Sequence, residues 1–283
     1  MTTSTPSPQP ATDLPVVVVG ISDSDDSDRA IRWGAEHARR IGGQLRLVHA
    51  FVWPLLNVDV DPVPGVAGSG LRAGAETLVA HAEAVAREVA PEIPVLTEIV
   101  EGRSADVLVT ESRGAAVLAV GSRGLGRMMA VVMGSTSLAL ARYAACPVVV
   151  VRGDEATDGP IGVAYESSDL GEQALERAGR LAAAYEAEVH VVIGVHTPAA
   201  EHDRILAHTR QAVARAGVDV PVKLSDLATA HSAKDLVAAS EGSRMLVVPA
   251  ASEGLASASS RTGAVVQLAH TPIWIERPLQ HRG

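Results

Sequence analysis

Short apolar-rich runs recur along the chain, and longer stretches with helical periodicity fill the intervals between them. In the first half, Val16–Val19, Gln44–Ala50, Val95–Val100, Ala115–Val120 and Pro147–Val151 read as strands. Several are apolar without interruption, as strands covered on both faces must be. Ser24–Ile41 opens with Ser and Asp residues suited to capping and sets Ile31, Ala35, Ala38 and Ile41 along one face. Leu71–Ala90, Ser104–Ser112 and Ser135–Ala144 are the other predicted helices. This alternation predicts an α/β fold, an open parallel sheet with helices on both faces. In such sheets, ligands bind beyond the carboxyl ends of the strands, where strand order reverses.

The pattern then repeats. SADVLVTESRGAAVLAVG (Ser104 to Gly121) lies over SAKDLVAASEGSRMLVVP (Ser232 to Pro249) without a gap, matching Ser104 with Ser232, Ser112 with Ser240 and Gly114 with Gly242. Upstream, Ala30 lies over Ala174, and downstream Cys146-Pro147 lies over Thr271-Pro272. The offset changes only between Phe51 and Leu71 and within a glycine-rich stretch, so insertions are confined to two loops, as in a duplicated domain. The predicted organisation is a tail over 1–13, one domain over 14–153 and a second over 158–277, joined by GDEATDG.

Composition narrows the function. A net charge of −9 argues against a nucleic-acid scaffold, which needs a basic face. The single cysteine, Cys146, can form no intrachain disulfide and suits a reducing compartment. No apolar stretch of about 20 residues spans a membrane. The Ser/Thr/Pro-rich start lacks the basic and apolar regions of a secretory signal. These features predict a cytoplasmic location and a disordered leader. The ten histidines are scattered, with no two spaced on one helix face beside a carboxylate, and they read as structural or surface residues. No nucleophile–base pair or paired carboxylates stand out, so a non-enzymatic role is expected.

The candidate chemistry lies in VGSRGLGRMMAVVMGSTS, Val120 to Ser137, after the fourth strand and opening the fourth helix. A P-loop would need Lys and Ser/Thr where Arg127 and Met128 stand, and the dinucleotide fingerprint needs a glycine at Met129. A different spacing fits without a gap: Gly121-x2-Gly124-x9-Gly134-Ser135. Glycines at 121 and 124 would let the backbone approach an anion and take positive φ. Ser135, Thr136 and Ser137 would present amides and hydroxyls at a helix N-terminus, where the dipole favours phosphate. Arg123 and Arg127 would add positive charge. The bland alternative is a strand-to-helix loop whose serines merely cap the helix.

At these residues the sequence resembles the universal stress proteins, specifically their ATP-binding and tandem members. The family's signature G-x2-G-x9-G-S/T is met at Gly121, Gly124, Gly134 and Ser135. VVVVG at Val16–Gly20, RLVHA at Arg46–Ala50 and CPVVVV at Cys146–Val151 look like its first, second and last strands. The resemblance implies five parallel strands per domain. It implies ATP, with Mg2+, its triphosphate on the glycine loop and its adenosine against Ser22, Asp23, Val48 and Val120. It also implies last strands that pair within the chain as a pseudo-dimer, and a homodimer of chains. One departure touches the site: the family's VGVDGS reads VGISDS here, with Ser22 in place of the expected Asp. Asp23 is one position on, and strand alternation would turn it to the opposite face.

The second copy departs further. Pro249 stands for Gly121, Ser252 for Gly124 and Ser259-Ser260 for Gly134-Ser135; Glu253 would repel a phosphate, and Glu166 stands opposite Ser22. A degenerate second domain without ATP is expected. Val52–Gly70 has no counterpart there and reads as a surface loop, a lid or part of an interface. The main functional expectation is an ATP-binding regulatory protein of the stress response. The alternative is an interaction module of the same fold that binds no nucleotide.

Overall fold

The computed structural model describes residues 14–51, 69–122, 135–153, 158–193, 199–215, 221–226, 232–250, 265 and 268–278. The predicted tail, the 52–68 insertion, the glycine loop from Arg123 to Gly134 and its counterpart after Ala250 lie outside the described residues.

The first half runs β1 (Val16–Gly20), α1 (Asp25–Arg40), β2 (Gln44–Phe51), α2 (Ser69–Val89), β3 (Val95–Glu101), α3 (Ser104–Glu111), β4 (Val117–Gly121), α4 (Ser135–Tyr143) and β5 (Val148–Val151). The second repeats the order with β6 (Ile161–Ala164), α5 (Asp169–Tyr185), β7 (Val189–Ile193), α6 (Ala199–Arg215), β8 (Val222–Asp226), α7 (Ala233–Ala239), β9 (Met245–Pro249) and β10 (Ile273–Glu276). Among the described residues, no helix is long and apolar enough to cross a membrane.

Within each half the strands are parallel, in the orders β3-β2-β1-β4-β5 and β10-β9-β6-β7-β8. The periodicity predicts the side-chain traffic. Val17 and Val19 point to the face covered by α1 and α2, with Ile31, Ala35 and Ala38, whereas Val18 points to the face covered by α3 and α4. α5 and α6 share the first face and α7 the second. Each long helix at the start of a half opens on a serine cap: Ser24 Oγ accepts from the Ser27 amide at 3.2 Å, and Ser168 Oγ from the Gly171 amide at 3.0 Å.

The two five-stranded sheets join into one continuous sheet of ten, through the pairing of last strands that the resemblance implies. β5 and β10 pair antiparallel, with Val149 opposite Trp274. These two residues are each other's counterparts in the repeat, so a pseudo-two-fold axis passes between them. The reason for the junction is composition. Val148–Val151 is buried at every position, as is Ile273–Glu276, and an edge of that kind is stable only when another strand covers it.

A cluster of aromatic and charged side chains closes the junction on the α1/α5 face. Trp33 stacks on His37 at 4.8 Å between centroids, His37 faces Tyr185 at 5.8 Å, and Trp274 meets Trp33 and His37 edge-on. His37 Nδ1 and the Tyr185 hydroxyl are 3.0 Å apart. Glu276, 2% exposed, accepts from Arg177 Nε at 2.9 Å and from Trp274 Nε1 at 2.8 Å. Arg40 reaches the Ala184 carbonyl at 3.1 Å. On the opposite face Arg277, just past β10, donates to the Ala141 and Arg142 carbonyls near the end of α4.

Burial within this cluster, helped by the positive charges of Arg177 and Arg40, pushes the His37 imidazole down to about 3 from its ordinary 6.5. Above pH 6.5 it is neutral whether the chain is folded or not. As pH falls below that value the unfolded chain takes up a proton that the folded chain refuses, so stability falls with pH until about 3. At 1.36 kcal/mol per unit, this group alone should lower stability by about 2–3 kcal/mol between pH 7 and pH 4.5. Urea unfolding across that range should show a shallower pH slope for His37→Gln, which keeps a polar partner for Tyr185. An unchanged slope would mean that other groups dominate acid unfolding.

Candidate functional site

From β1 the chain passes through α1 to β2 on one side, whereas β3 returns through α3 to β4 on the other. Strand order therefore reverses between β1 and β4, and the helices that follow them, α1 and α4, lie on opposite faces of the sheet, the arrangement at which open α/β sheets form a ligand crevice. Ser22 and Asp23 follow β1, Val48 lies in the middle of β2 opposite Gly20 at the end of β1, and Val120 and Gly121 end β4. Ser135, Thr136 and Ser137 form the first turn of α4. Apart from Val48, these predicted residues thus lie at or just past strand ends or at a helix start. Arg123, Gly124 and Gly134 lie outside the described residues.

Pairing between β1 and β2 continues just past the end of β1. The Ile21 amide donates to the Val48 carbonyl at 2.9 Å, and the Val48 and Val120 side chains are both buried on the α3/α4 face. His49 Nδ1 lies 3.2 Å from the Ile21 carbonyl. A carbonyl only accepts, so Nδ1 carries the proton and Nε2 is left as an acceptor.

The turn after β1 resolves the relation of Ser22 to Asp23. Strand geometry ends at Gly20, and the Ser24 amide folds back onto the Ser22 carbonyl at 2.9 Å, so strand alternation does not govern these positions. The Ser22 amide is used by Ser27 Oγ at 2.9 Å and its hydroxyl lies 3.2 Å from the capping Ser24 Oγ. Ser22 thus forms part of the helix cap. Asp23 is exposed, with no hydrogen bond among the described residues.

Gly121 corrects an expectation. Its φ is not positive, and its backbone approaches α1: a Cβ there would lie 2.5 Å from the Asp26 carbonyl oxygen. Close packing of β4 against the first turn of α1 requires glycine here, whether or not an anion binds. Ser122 secures the same contact, its hydroxyl donating to Asp26 Oδ2 at 2.5 Å, while Asp26 Oδ1 accepts from Arg29 at 2.6 Å. The sequence reading missed Ser122 and Asp26, although the GSRG and DSDDSD strings held them. At the start of α4, Ser135 is exposed and Thr136 half-buried, but Ser137 is buried and turned toward the core.

The first turn of α1 carries Asp25, Asp26 and Asp28. These carboxylates suit the helix dipole but oppose a bare polyphosphate, which would need a compensating cation beside them. Asp28 also meets His81 of α2 at 3.1 Å, and in the second half Glu172 of α5 meets His208 of α6 at the corresponding place, two pairs that periodicity alone did not reveal. Among the described residues, no group of three or more His, Cys, Asp or Glu side chains is placed to hold a metal ion. Burial pushes the Cys146 thiol up to about 12, so it packs and does not react as a thiolate.

The matching crevice of the second half lies between β6 and β9 and is built differently. The Tyr165 amide donates to the Val192 carbonyl at 2.9 Å, as Ile21 does to Val48, but Glu166 then accepts from the Ser168 hydroxyl at 2.7 Å and sets a carboxylate at the strand end. β9 ends in Pro249, paired with Glu276 of β10, where the first half has Gly121.

Residues 15–152 match the model of the Universal stress protein family. A universal stress protein of Mycolicibacterium smegmatis is 31% identical over 49% of this chain and 48% of its own length. One of Mycobacterium tuberculosis is 35% identical over 48% of this chain and 45% of its own. The chain thus spans about half the length of the curated relatives it matches. The crystal structure of a universal stress protein from Archaeoglobus fulgidus is similar over 93% of this chain and 98% of that one, with a TM-score of 0.72. At 15% identity this is a likeness of fold, and it extends over both halves.

The stitching of β4 to α1 is open to test by substitution. Gly121→Ala should destabilise the chain by about 1–3 kcal/mol, because the added methyl meets backbone and not a flexible side chain. Ser122→Ala should cost about 1–2 kcal/mol by freeing one hydrogen bond of a partly buried carboxylate. Chemical denaturation without added ligand checks both; a neutral Gly121→Ala would show that β4 and α1 are not in the close contact described.

Proposed function

We propose that the chain is a universal stress protein, as the match of residues 15–152 to that family's model supports, that the strand-order reversal between β1 and β4 binds ATP with Mg2+, and that the protein is regulatory and not catalytic. The observation that carries this reading is positional. Gly121 ends β4 at the strand-order reversal, and the signature that starts there continues through Gly124 to Gly134-Ser135, the last of which opens α4. The adenosine would lie against Val48, Val120 and the turn holding Ser22 and Asp23. The triphosphate would lie over the glycine loop, where Arg123 supplies charge, and at the α4 N-terminus formed by Ser135 and Thr136. Ser137 would act from beneath, as packing for that turn. Mg2+ would supply the positive charge that the acidic first turn of α1 calls for.

A regulatory role fits the side chains. The carboxylate nearest β4, Asp26, is already engaged by Ser122 and Arg29, so it is poorly placed to activate a nucleophile. The second half, with Glu166 and Pro249 at its strand ends, is assigned no ATP. A cytoplasmic location is part of the same proposal. Any homodimer would have to use a surface other than β5 or β10, which cover each other.

Isothermal titration of nucleotide-stripped protein with MgATP should give one site per chain, lost in Gly134→Val and at least tenfold weaker when EDTA replaces Mg2+. Two sites would overturn the assignment of the second half. No heat, together with no nucleotide released on denaturing freshly purified protein, would favour an interaction module of the same fold. The packing role of Gly121, which needs no nucleotide to explain it, is the observation on that side.

A further inference from the structure

The sheet ends in two edges, and the repeat makes each the control for the other. Among the described residues β3 pairs only with β2, and β8 only with β7. Leu96, opposite Arg46, has Lys223, opposite His190, as its counterpart; Ile99, opposite His49, has Asp226, opposite Ile193. The β8 edge thus has ionisable residues at both positions, with Lys223 exposed and paired to Glu188. Charge on an edge strand keeps other strands away. The β3 edge is the reverse. Leu96 and Ile99 are 44% and 39% exposed, two of the four large apolar or aromatic side chains left exposed among the described residues. They lie on opposite faces of the strand: Leu96 is in line with Arg46 and Val18, and Ile99 alternates with Val95 on the α1/α2 face. A helix laid on either face would cover only one of them, whereas a strand added alongside β3 reaches both.

The backbone of β3 suits such a strand. The Leu45 amide donates to the Pro94 carbonyl and the Gly102 amide to the Phe51 carbonyl, both at 2.9 Å. Even-numbered residues of β3 therefore turn their amides and carbonyls to β2, and Val95, Thr97, Ile99 and Glu101 turn theirs outward. A second β3, run antiparallel, meets these groups with its own about a two-fold axis. The side chains select the register. An axis through Glu98 would set two carboxylates face to face, and one through Ile99 would leave Leu96 uncovered. An axis through Thr97 sets Thr97 against Thr97, Val95 against Ile99, and Leu96 against Glu98, whose charge Arg46 already offsets at 2.7 Å. The chain joins its own halves in the same way, by antiparallel pairing of β5 with β10.

We propose that the β3 edge is a self-association surface, through which two copies of this chain pair antiparallel about Thr97 and continue one sheet into the next. The β8 edge, with Lys223 and Asp226 at the matching positions, takes no part. This surface needs no nucleotide and stands apart from the reading of the β1/β4 reversal.

Sedimentation equilibrium of the full-length protein should give twice the chain mass at about 100 µM, falling toward the chain mass on dilution, as expected for a small interface. Leu96→Lys, which installs the residue that the second half already carries, should weaken association at least tenfold. Thr97→Pro removes an outward amide and none that bonds β2, so it should do the same without unfolding the strand. Cysteine substitution then reads the register. Thr97→Cys should be cross-linked between chains by a bismaleimide spanning about 8 Å, whereas the two sites of Glu101→Cys lie about 27 Å apart and should not be. Buried Cys146 gives the background, measured on the unsubstituted protein. The proposal is overturned by a monomer at about 100 µM, which would mean that the edge stays bare or is covered within the chain. A dimer indifferent to both Leu96→Lys and Thr97→Pro would overturn it too, as would equal cross-linking at positions 97 and 101.

Discussion

A parallel five-stranded sheet of this order leaves its last strand at an edge, and here that strand is apolar at nearly every position in both copies. Such an edge is a template for aggregation unless something pairs with it. The chain meets this constraint internally, by setting β5 antiparallel to β10. Everything on either side is then fixed. α1 and α5 lie on the same face of the sheet and must pack where the halves meet, and the side chains at that contact have to fill the space above Trp274. Trp33, His37 and Tyr185 fill it, gathering three of the chain's seven Trp, Tyr and Phe residues in one place when Trp274 is counted. Burying Glu276 there is tolerable only because Arg177 and the Trp274 indole satisfy it together.

α1 carries this constraint to the crevice. Its middle and its end are held against the second half by Trp33, His37 and Arg40, while its first turn forms one wall of the β1/β4 crevice and is stitched to β4 through Gly121, Ser122 and Asp26. The wall of the site is thus one end of a helix whose other end is clamped. Under the proposed reading, the negative field of Asp25, Asp26 and Asp28 means that a polyphosphate would enter only with a cation.

Much of the architecture was legible because strand burial on two faces writes itself as unbroken apolar runs. β1, β2, β3 and β5 fall within a residue of the runs that predict them, and β4 starts two residues late. The order of strands and helices in each half was legible too, and with it the kind of fold in which strand order reverses. What escaped depends on contacts distant in sequence. A glycine that approaches a ligand and a glycine that approaches the Asp26 backbone look alike in a string, so the role of Gly121 could not be read. Alternation misled for Asp23, because the strand ends at Gly20, two residues before Ser22. The periodicity of α1 marked Ala35 and Ala38 as inward-facing but could not say that His37 would meet Tyr185, 148 residues away.

The same constraint accounts for the divergence of the two halves. The second half is required for its edge strand, for Trp274 and Glu276, and for Tyr185 and Arg177 on α5. None of these lies at the loops beyond its strands. Its first strand could therefore be followed by Glu166, and the opposite ends of β9 and β10 could exchange Arg, Ala and Cys for Glu, Ser and Thr on an unchanged Ser-Gly turn. In the first half, by contrast, β4 is bound to α1 through its last residue and the one after it, so change at the strand end is felt at the junction. Duplication followed by internal pairing thus leaves one copy with a constrained site and the other with strand ends free to take up different chemistry.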